Sequence, residues 1–292
     1  MNLYSTKDLT DLLERNQFFF KKNLGQNFLL SEAISMKIAT TAFQQAVTDK
    51  KKLCIEIGPG AGSLTYQLSK LFDQVLAIEI DTKLIPVLEE SLKDCENVVI
   101  HNTDALKFDF QTLTELYPDY EYCVCSNLPY YITSELIMRF LECKIHFTSI
   151  TVLIQKEAAE RLIAQPNSPN FGAITASVSY YAKAKKCFQV SPGNFIPRPK
   201  VDSAVLQLLP HQTRPITPLN EQVFFSVIRA AFAGRRKTLA NTLSNYFADQ
   251  FSKEQILKFL EQSQIDQTRR GETLTLQEFC SLADNITNFE EK

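Results

Sequence analysis

Residues 53–62 constrain the fold of this chain more than any others. Leu53-Cys54-Ile55-Glu56-Ile57 is a short apolar run of the kind that forms a buried strand, and it breaks directly into Gly58-Pro59-Gly60-Ala61-Gly62. Leu64, Leu68 and Leu71 then recur at helical spacing. Strand, glycine turn and helix in that order open an α/β sheet and bring backbone close to any ligand at the strand's C-terminal end. The spacing is G-x-G-x-G, with Ser63 where the dinucleotide fingerprint has its last glycine. Taken alone, the glycines could equally make a tight connection.

Further strand patterns follow. The second, residues 75–80, ends in the acidic pair Glu79 and Asp81. A carboxylate at that tip, Glu79, can accept both hydroxyls of a ribose, whereas Asp81 suits the cap of the next helix. The third, residues 97–100, leads to Asp104, which can accept from an adenine amino group or cap a loop turn. Residues 122–126 form a fourth strand and 149–154 a fifth, and two more strand-like runs cover 174–181 and 203–209.

The fourth strand delivers Asn127-Leu128-Pro129-Tyr130. The Asn127 side-chain oxygen and the Leu128 carbonyl can both accept from one exocyclic NH2. Pro129 biases Leu128 toward extended backbone, and Tyr130 can stack on a planar ring. In isolation the four residues would also read as a strand end and a proline turn.

Around this core, residues 21–29 carry Asn27, Phe28 and Leu29 ahead of a helix starting near Ser31, either as an arm packed on the domain or as a lid over a ligand. Phe195 sits in a proline-rich connection, residues 191–200, as a loop anchor or as a second stacking ring opposite Tyr130. Residues 210–218 look like a linker, and beyond them the pattern is helical to the end. The 292 residues thus suggest a domain over 1–210 and a helical one over 211–292. Net charge is -2, so nucleic-acid binding needs a local patch. Arg229, Arg235, Arg236 and Lys237 form one, with no acid among residues 229–237, and Lys183, Lys185, Lys186, Arg198 and Lys200 could extend it. Seven cysteines without a C-x-x-C pair, and three histidines, suggest structural thiols and no metal site. The N-terminal twenty residues read as neither a signal peptide nor a membrane span. The expected compartment is the cytoplasm.

Several of these stretches together resemble the small-subunit ribosomal RNA adenine dimethyltransferases. They are Asn23-Leu24-Gly25-Gln26-Asn27-Phe28-Leu29, Glu56-x-Gly58-x-Gly60-x-Gly62, Asn127-Leu128-Pro129-Tyr130, Gln155-Lys156-Glu157, Val201-Asp202-Ser203-Ala204-Val205 and Arg235-Arg236-Lys237-Thr238-Leu239. The resemblance implies an α/β fold of the class I (Rossmann-like) methyltransferase type, a seven-stranded sheet with its last strand antiparallel plus a small C-terminal all-helical domain. It also implies S-adenosyl-L-methionine as cofactor and N6-dimethylation of two adjacent adenines in the 3′-terminal hairpin loop of small-subunit ribosomal RNA. The implied partner is that RNA within a pre-ribosomal particle, met by a monomer without membrane or metal. Carried over by position, Asn27, Leu29, Gly58, Gly60, Glu79, Asp104 and Asn127 would line the cofactor. Asn127, Leu128, Pro129 and Tyr130 would do the chemistry. Phe28, Tyr130, Phe195, Arg229, Arg235, Arg236 and Lys237 would hold the RNA. Arg198 and Phe171 depart from the family pattern, which often has proline and tyrosine there, and so put RNA docking in question rather than the chemistry. A large-subunit methylase of erythromycin-resistance type and a mainly non-catalytic ribosome-assembly factor fit many of the same residues. A nicotinamide dehydrogenase does not, given the glycine spacing and the want of a hydride-site histidine.

Overall fold

The structure, a computed structural model, describes residues 1–20, 25–45, 49–234 and 236–289. Seven strands form one sheet: β1 (Lys51–Ile57), β2 (Gln74–Glu79), β3 (Val98–Asn102), β4 (Tyr120–Asn127), β5 (Phe147–Gln155), β6 (Ala182–Val190) and β7 (Ser203–Pro210). Their spatial order is β3-β2-β1-β4-β5-β7-β6. β1 to β5 run parallel to their neighbours, whereas β7 is antiparallel to β5, with Leu153 opposite Val205. This is the mixed sheet that the resemblance implies, with the last strand reversed.

Burial explains the central strands. β1 lies between β2 and β4, and Leu53, Cys54 and Ile55 are wholly buried, as a central parallel strand requires. The helix Glu32–Phe43 begins at Ser31, whose hydroxyl accepts from the Ile34 N–H. Its Ile38, Ala39 and Ala42 pack into one core cluster with Cys54, Cys123 and Cys125. Small side chains on both partners let helix and sheet approach closely, and the thiols serve here as compact hydrophobes. All seven cysteines are free thiols. No helix among the described residues is long and apolar enough to cross a membrane.

Strand order reverses across the sheet at β1, since β2 and β3 extend to one side of it and β4 and β5 to the other. At such a switch point the loops after adjacent strands diverge and leave a crevice at their C-terminal ends. The loops after β1 and β4 are the glycine turn and Asn127-Leu128-Pro129-Tyr130.

The chain forms two compact units, Met1–Ala159 with Ala184–Pro210, and Glu160–Lys183 with His211–Lys292. Residues 174–181, expected as a strand, are a helix, Ala173–Tyr181. Its β-branched and aromatic composition favours a strand locally, but two interactions override it. The Gly172 N–H donates to Thr175 Oγ1 at 3.2 Å, closing the first turn. Tyr180 and Tyr181 then bury their rings against Phe224 and Phe225 of the helix Glu221–Ala231. The strand comes one element later as β6, whose Lys183, Lys185 and Lys186 are exposed. From Glu221 on, the second unit is helical, with Phe224, Phe259 and Phe279 fully buried. Gly271 lies so close to the Ala231 carbonyl oxygen that a Cβ would stand 2.5 Å from it.

Candidate active site

A cavity of about 290 Å³ opens at the switch point in the first unit. Its wall is built from the C-terminal ends of β1, β2 and β4, the loop after β3, and residues 25–29.

The glycine turn forms the floor. Gly58, Gly60 and Gly62 all have positive φ, at 64°, 62° and 89°. Gly60 also leaves room for a neighbour, because a Cβ there would sit 2.8 Å from the Phe28 ring. Phe28 packs in turn on Phe18 and Phe20, so the residues ahead of the first strand brace the turn from outside. Residues 25–29 thus pack on the domain and wall the cavity at once, while residues 21–24 of the expected arm lie outside the described residues. The helix Thr6–Arg15 is pinned by an Arg15–Glu90 ion pair at 2.6 Å and buries Leu9, Leu12 and Leu13.

Two carboxyls lie buried beside the turn. Glu79 is 4% exposed, and its Oε1 accepts from the Asp81 N–H at 2.8 Å. Burial pushes its pKa up to about 7, although that backbone bond pulls it down. Glu56, 1% exposed, is pushed up to about 8 by burial, and the charge of Glu79 adds to the rise. Among the described residues nothing donates to Glu56 Oε2. Asp81, by contrast, caps the turn Thr82–Leu84 through the Lys83 N–H and accepts from Gln26 Nε2 at 3.1 Å. Asp104 lies in the cavity wall and accepts from the Leu106 N–H at 2.9 Å, so it both caps its loop and faces the crevice.

Asn127 closes the other side. Its Nδ2 donates to the Asn27 carbonyl oxygen at 3.0 Å. A carbonyl only accepts, so this bond fixes which way the amide points: Nδ2 is held and Oδ1 is left without a donor among the described residues. The Leu128 N–H is used by the Leu153 carbonyl at 3.1 Å, while no described residue donates to the Leu128 carbonyl. Pro129 stands against the glycine turn, 3.8 Å from where a Gly58 Cβ would be. Tyr130 is half-buried in the wall, its hydroxyl 2.8 Å from Ser203 Oγ.

Asn27, Phe28, Leu29, Gly58, Gly60, Glu79, Asp104, Asn127, Leu128, Pro129 and Tyr130 thus line one cavity. Phe195 does not reach it. A short antiparallel pairing sets Phe195 opposite Leu29 and turns its ring inward, where it is 4% exposed in the cluster with Leu29, Ile38 and Val205. Arg229, Arg236 and Lys237 are exposed and belong to the second unit, with Arg229 Nη2 bonded to Ser226 Oγ at 2.9 Å. Arg235 lies outside the described residues. Sequence reasoning passed over Glu56 and Tyr131 as site residues. Glu56 was visible as the acid that opens the glycine motif, and Tyr131 as the second of two adjacent tyrosines. Tyr131 is 56% exposed at the cavity wall. Among the described residues there is no cluster of three or more metal-ligating side chains.

The profile of the ribosomal RNA adenine dimethylase family matches residues 17–285. The chain belongs to that family. It is 40% identical to a ribosomal RNA small subunit methyltransferase A of Oceanobacillus iheyensis, over 97% of this chain and 95% of the relative. It is 42% identical to the protein of that name from Clostridium botulinum, over 94% and 97%. A crystal structure of a dimethyladenosine transferase from Plasmodium falciparum superposes with a TM-score of 0.72 at 26% identity, over 87% of this chain and 95% of that one. The 23S rRNA methyltransferase ErmE shares the fold, with a TM-score of 0.64 at 22% identity over 89% and 100%.

Proposed function

We infer that this protein uses S-adenosyl-L-methionine to dimethylate adenine N6 in small-subunit ribosomal RNA, at the two adjacent adenines of the 3′-terminal hairpin loop, within an immature ribosomal particle in the cytoplasm. The observation that carries the reading is the orientation of Asn127. With its Nδ2 held by the Asn27 carbonyl, Oδ1 is left to accept, and the Leu128 carbonyl, to which no described residue donates, would be its partner acceptor. Two acceptors side by side suit an amine with two hydrogens.

The residues opposite fit the cofactor. Glu79 would take the ribose hydroxyls and Asp104 the adenine amino group, and the close-approach turn at Gly58 and Gly60 leaves space beside them. When bound, S-adenosylmethionine supplies an electrophilic methyl group. The chain's own part is to hold the target. In the first transfer Asn127 Oδ1 and the Leu128 carbonyl accept from the two N6 hydrogens and favour a pyramidal nitrogen whose lone pair is freed from the ring. In the second, one acceptor holds the single hydrogen left, and after each transfer the nitrogen releases its proton to solvent. Tyr130 stacks on the base and fixes its plane. Positioning and fixed dipoles lower the barrier, with no strong general base at the nitrogen.

Arg229, Arg235, Arg236 and Lys237 would contact RNA phosphates from the helical 211–292 domain. The relatives' names favour the small subunit over the large-subunit and assembly-only readings. The test is methyl transfer to immature small subunits, to large-subunit RNA and to duplex DNA, by the wild type and Asn127→Ala. Transfer to small subunits alone, lost in the variant, is expected. Wild-type turnover by Asn127→Ala at saturating cofactor and RNA would refute the mechanism.

A further inference from the structure

Among the matched motifs, Val201-Asp202-Ser203-Ala204-Val205 has no part in the chemistry above, and its place in the fold gives it one. Ser203 is wholly buried at the start of β7, opposite Gln155 at the end of β5. Its Oγ lies 2.8 Å from the Tyr130 hydroxyl. The residue before it is tied down twice, with the Lys156 N–H donating to the Asp202 carbonyl at 2.9 Å and Gln189 Nε2 donating to Asp202 Oδ2 at 2.7 Å. Ser203 is therefore a fixed point rather than a mobile hydroxyl.

We propose that Ser203 is a positioning residue for the transfer, acting through Tyr130. The inference rests on Tyr130 being the ring that stacks on the target base. A phenol oxygen lies on the axis about which the ring turns, so a bond to a fixed partner pins the direction of that axis. The phenolic O–H also prefers the ring plane, which biases the face that Tyr130 presents. The ring is thus held before the base arrives, and less ordering remains to be done in the transition state. Burial raises the phenol's pKa, with Ser203 opposing. The hydroxyl stays protonated and can share its proton with Ser203.

The experiment compares Ser203→Ala, Tyr130→Phe, the double variant and Tyr130→Ala in methyl transfer to immature small subunits, with cofactor affinity measured by calorimetry. One neutral hydrogen bond predicts a fall in kcat of about five- to tenfold in each of S203A and Y130F. The double variant should be no slower than either single variant, because both remove the same bond. Cofactor Kd should stay at its wild-type value throughout, which a general loosening of the fold would not leave untouched. Additive losses in the double variant, or a raised cofactor Kd in S203A, would overturn the proposal. An S203A enzyme with wild-type kcat beside an inactive Y130A would overturn it alone, leaving Tyr130 in its role. A Y130A enzyme with wild-type kcat would overturn the stacking reading and this inference together.

Discussion

Replacing Glu79 by glutamine separates the charge of that carboxyl from its shape. The folded-state pKa of about 7 lies above the ordinary 4.5, with burial the largest cause. The folded chain therefore holds this proton more tightly than the unfolded chain does. The stability so gained is fully present below about pH 4.5 and is lost as pH rises through about 7. At about 1.4 kcal/mol per tenfold change in proton affinity, the span from 4.5 to about 7 amounts to about 3 kcal/mol. Glu79 is 4% exposed, so solvent screening takes little from this figure. Glutamine does not titrate and keeps an oxygen for the Asp81 N–H. Urea unfolding at constant ionic strength should find Glu79→Gln within about 1 kcal/mol of wild type at pH 4.5 and more stable by about 3 kcal/mol at pH 8.5. Glu56 titrates in both proteins, and its relief from the Glu79 charge works in the same direction. The variant should at the same time bind S-adenosylmethionine about 10- to 100-fold more weakly at pH 8, having lost a charged acceptor. A stability difference that stays flat between the two pH values, or that favours the wild type at pH 8.5, would refute the buried-carboxylate argument.

Three further outcomes follow from the same geometry. Ribose hydroxyls donate best to an ionised Glu79, so cofactor binding should release protons and tighten as pH rises from 6 to 8. Calorimetry in buffers of different ionisation enthalpy reads this directly. Gly60→Ala combines a φ of 62° with a Cβ 2.8 Å from the Phe28 ring. It should destabilise the chain by about 1–3 kcal/mol and weaken cofactor binding at least as strongly as Glu79→Gln, as thermal melts with and without S-adenosylmethionine would show. Arg236→Gln with Lys237→Gln should weaken RNA binding without changing cofactor Kd. The slope of log affinity against log salt should fall by about 0.7–0.9 for each phosphate that the variant no longer neutralises. An unchanged slope would remove these residues from the RNA surface.

The fold was legible wherever local pattern and burial agree. An apolar run ending in glycines at 53–62 can hardly be other than a buried strand and a close turn, and β1 is that strand. Residues 174–181 misled because local propensity favours a strand, whereas Phe224 and Phe225, distant in sequence, stack on Tyr180 and Tyr181 and hold a helix. β6 escaped notice for the opposite reason. Its lysines read as an extension of the basic patch, yet exposed edge strands carry such lysines to discourage pairing with other chains. Phe195 could be recognised as an apolar residue in a polar loop, but only its pairing with Leu29 decides that the ring turns inward.

Within the site, residue types were readable and their orientation was not. An amide at position 127 carries two donors and an acceptor, and composition does not say which faces the crevice. The Asn27 carbonyl decides it by holding Nδ2. Were the amide reversed, Nδ2 would face the base and favour a ring carbonyl such as that of uracil, while the Leu128 carbonyl would repel that same oxygen. Selection of an amine-bearing base would therefore depend on the backbone of residues 25–29 as much as on Asn127 itself. On the proposed mechanism, the residues that brace the glycine turn through Phe28 would also tell the two kinds of base apart.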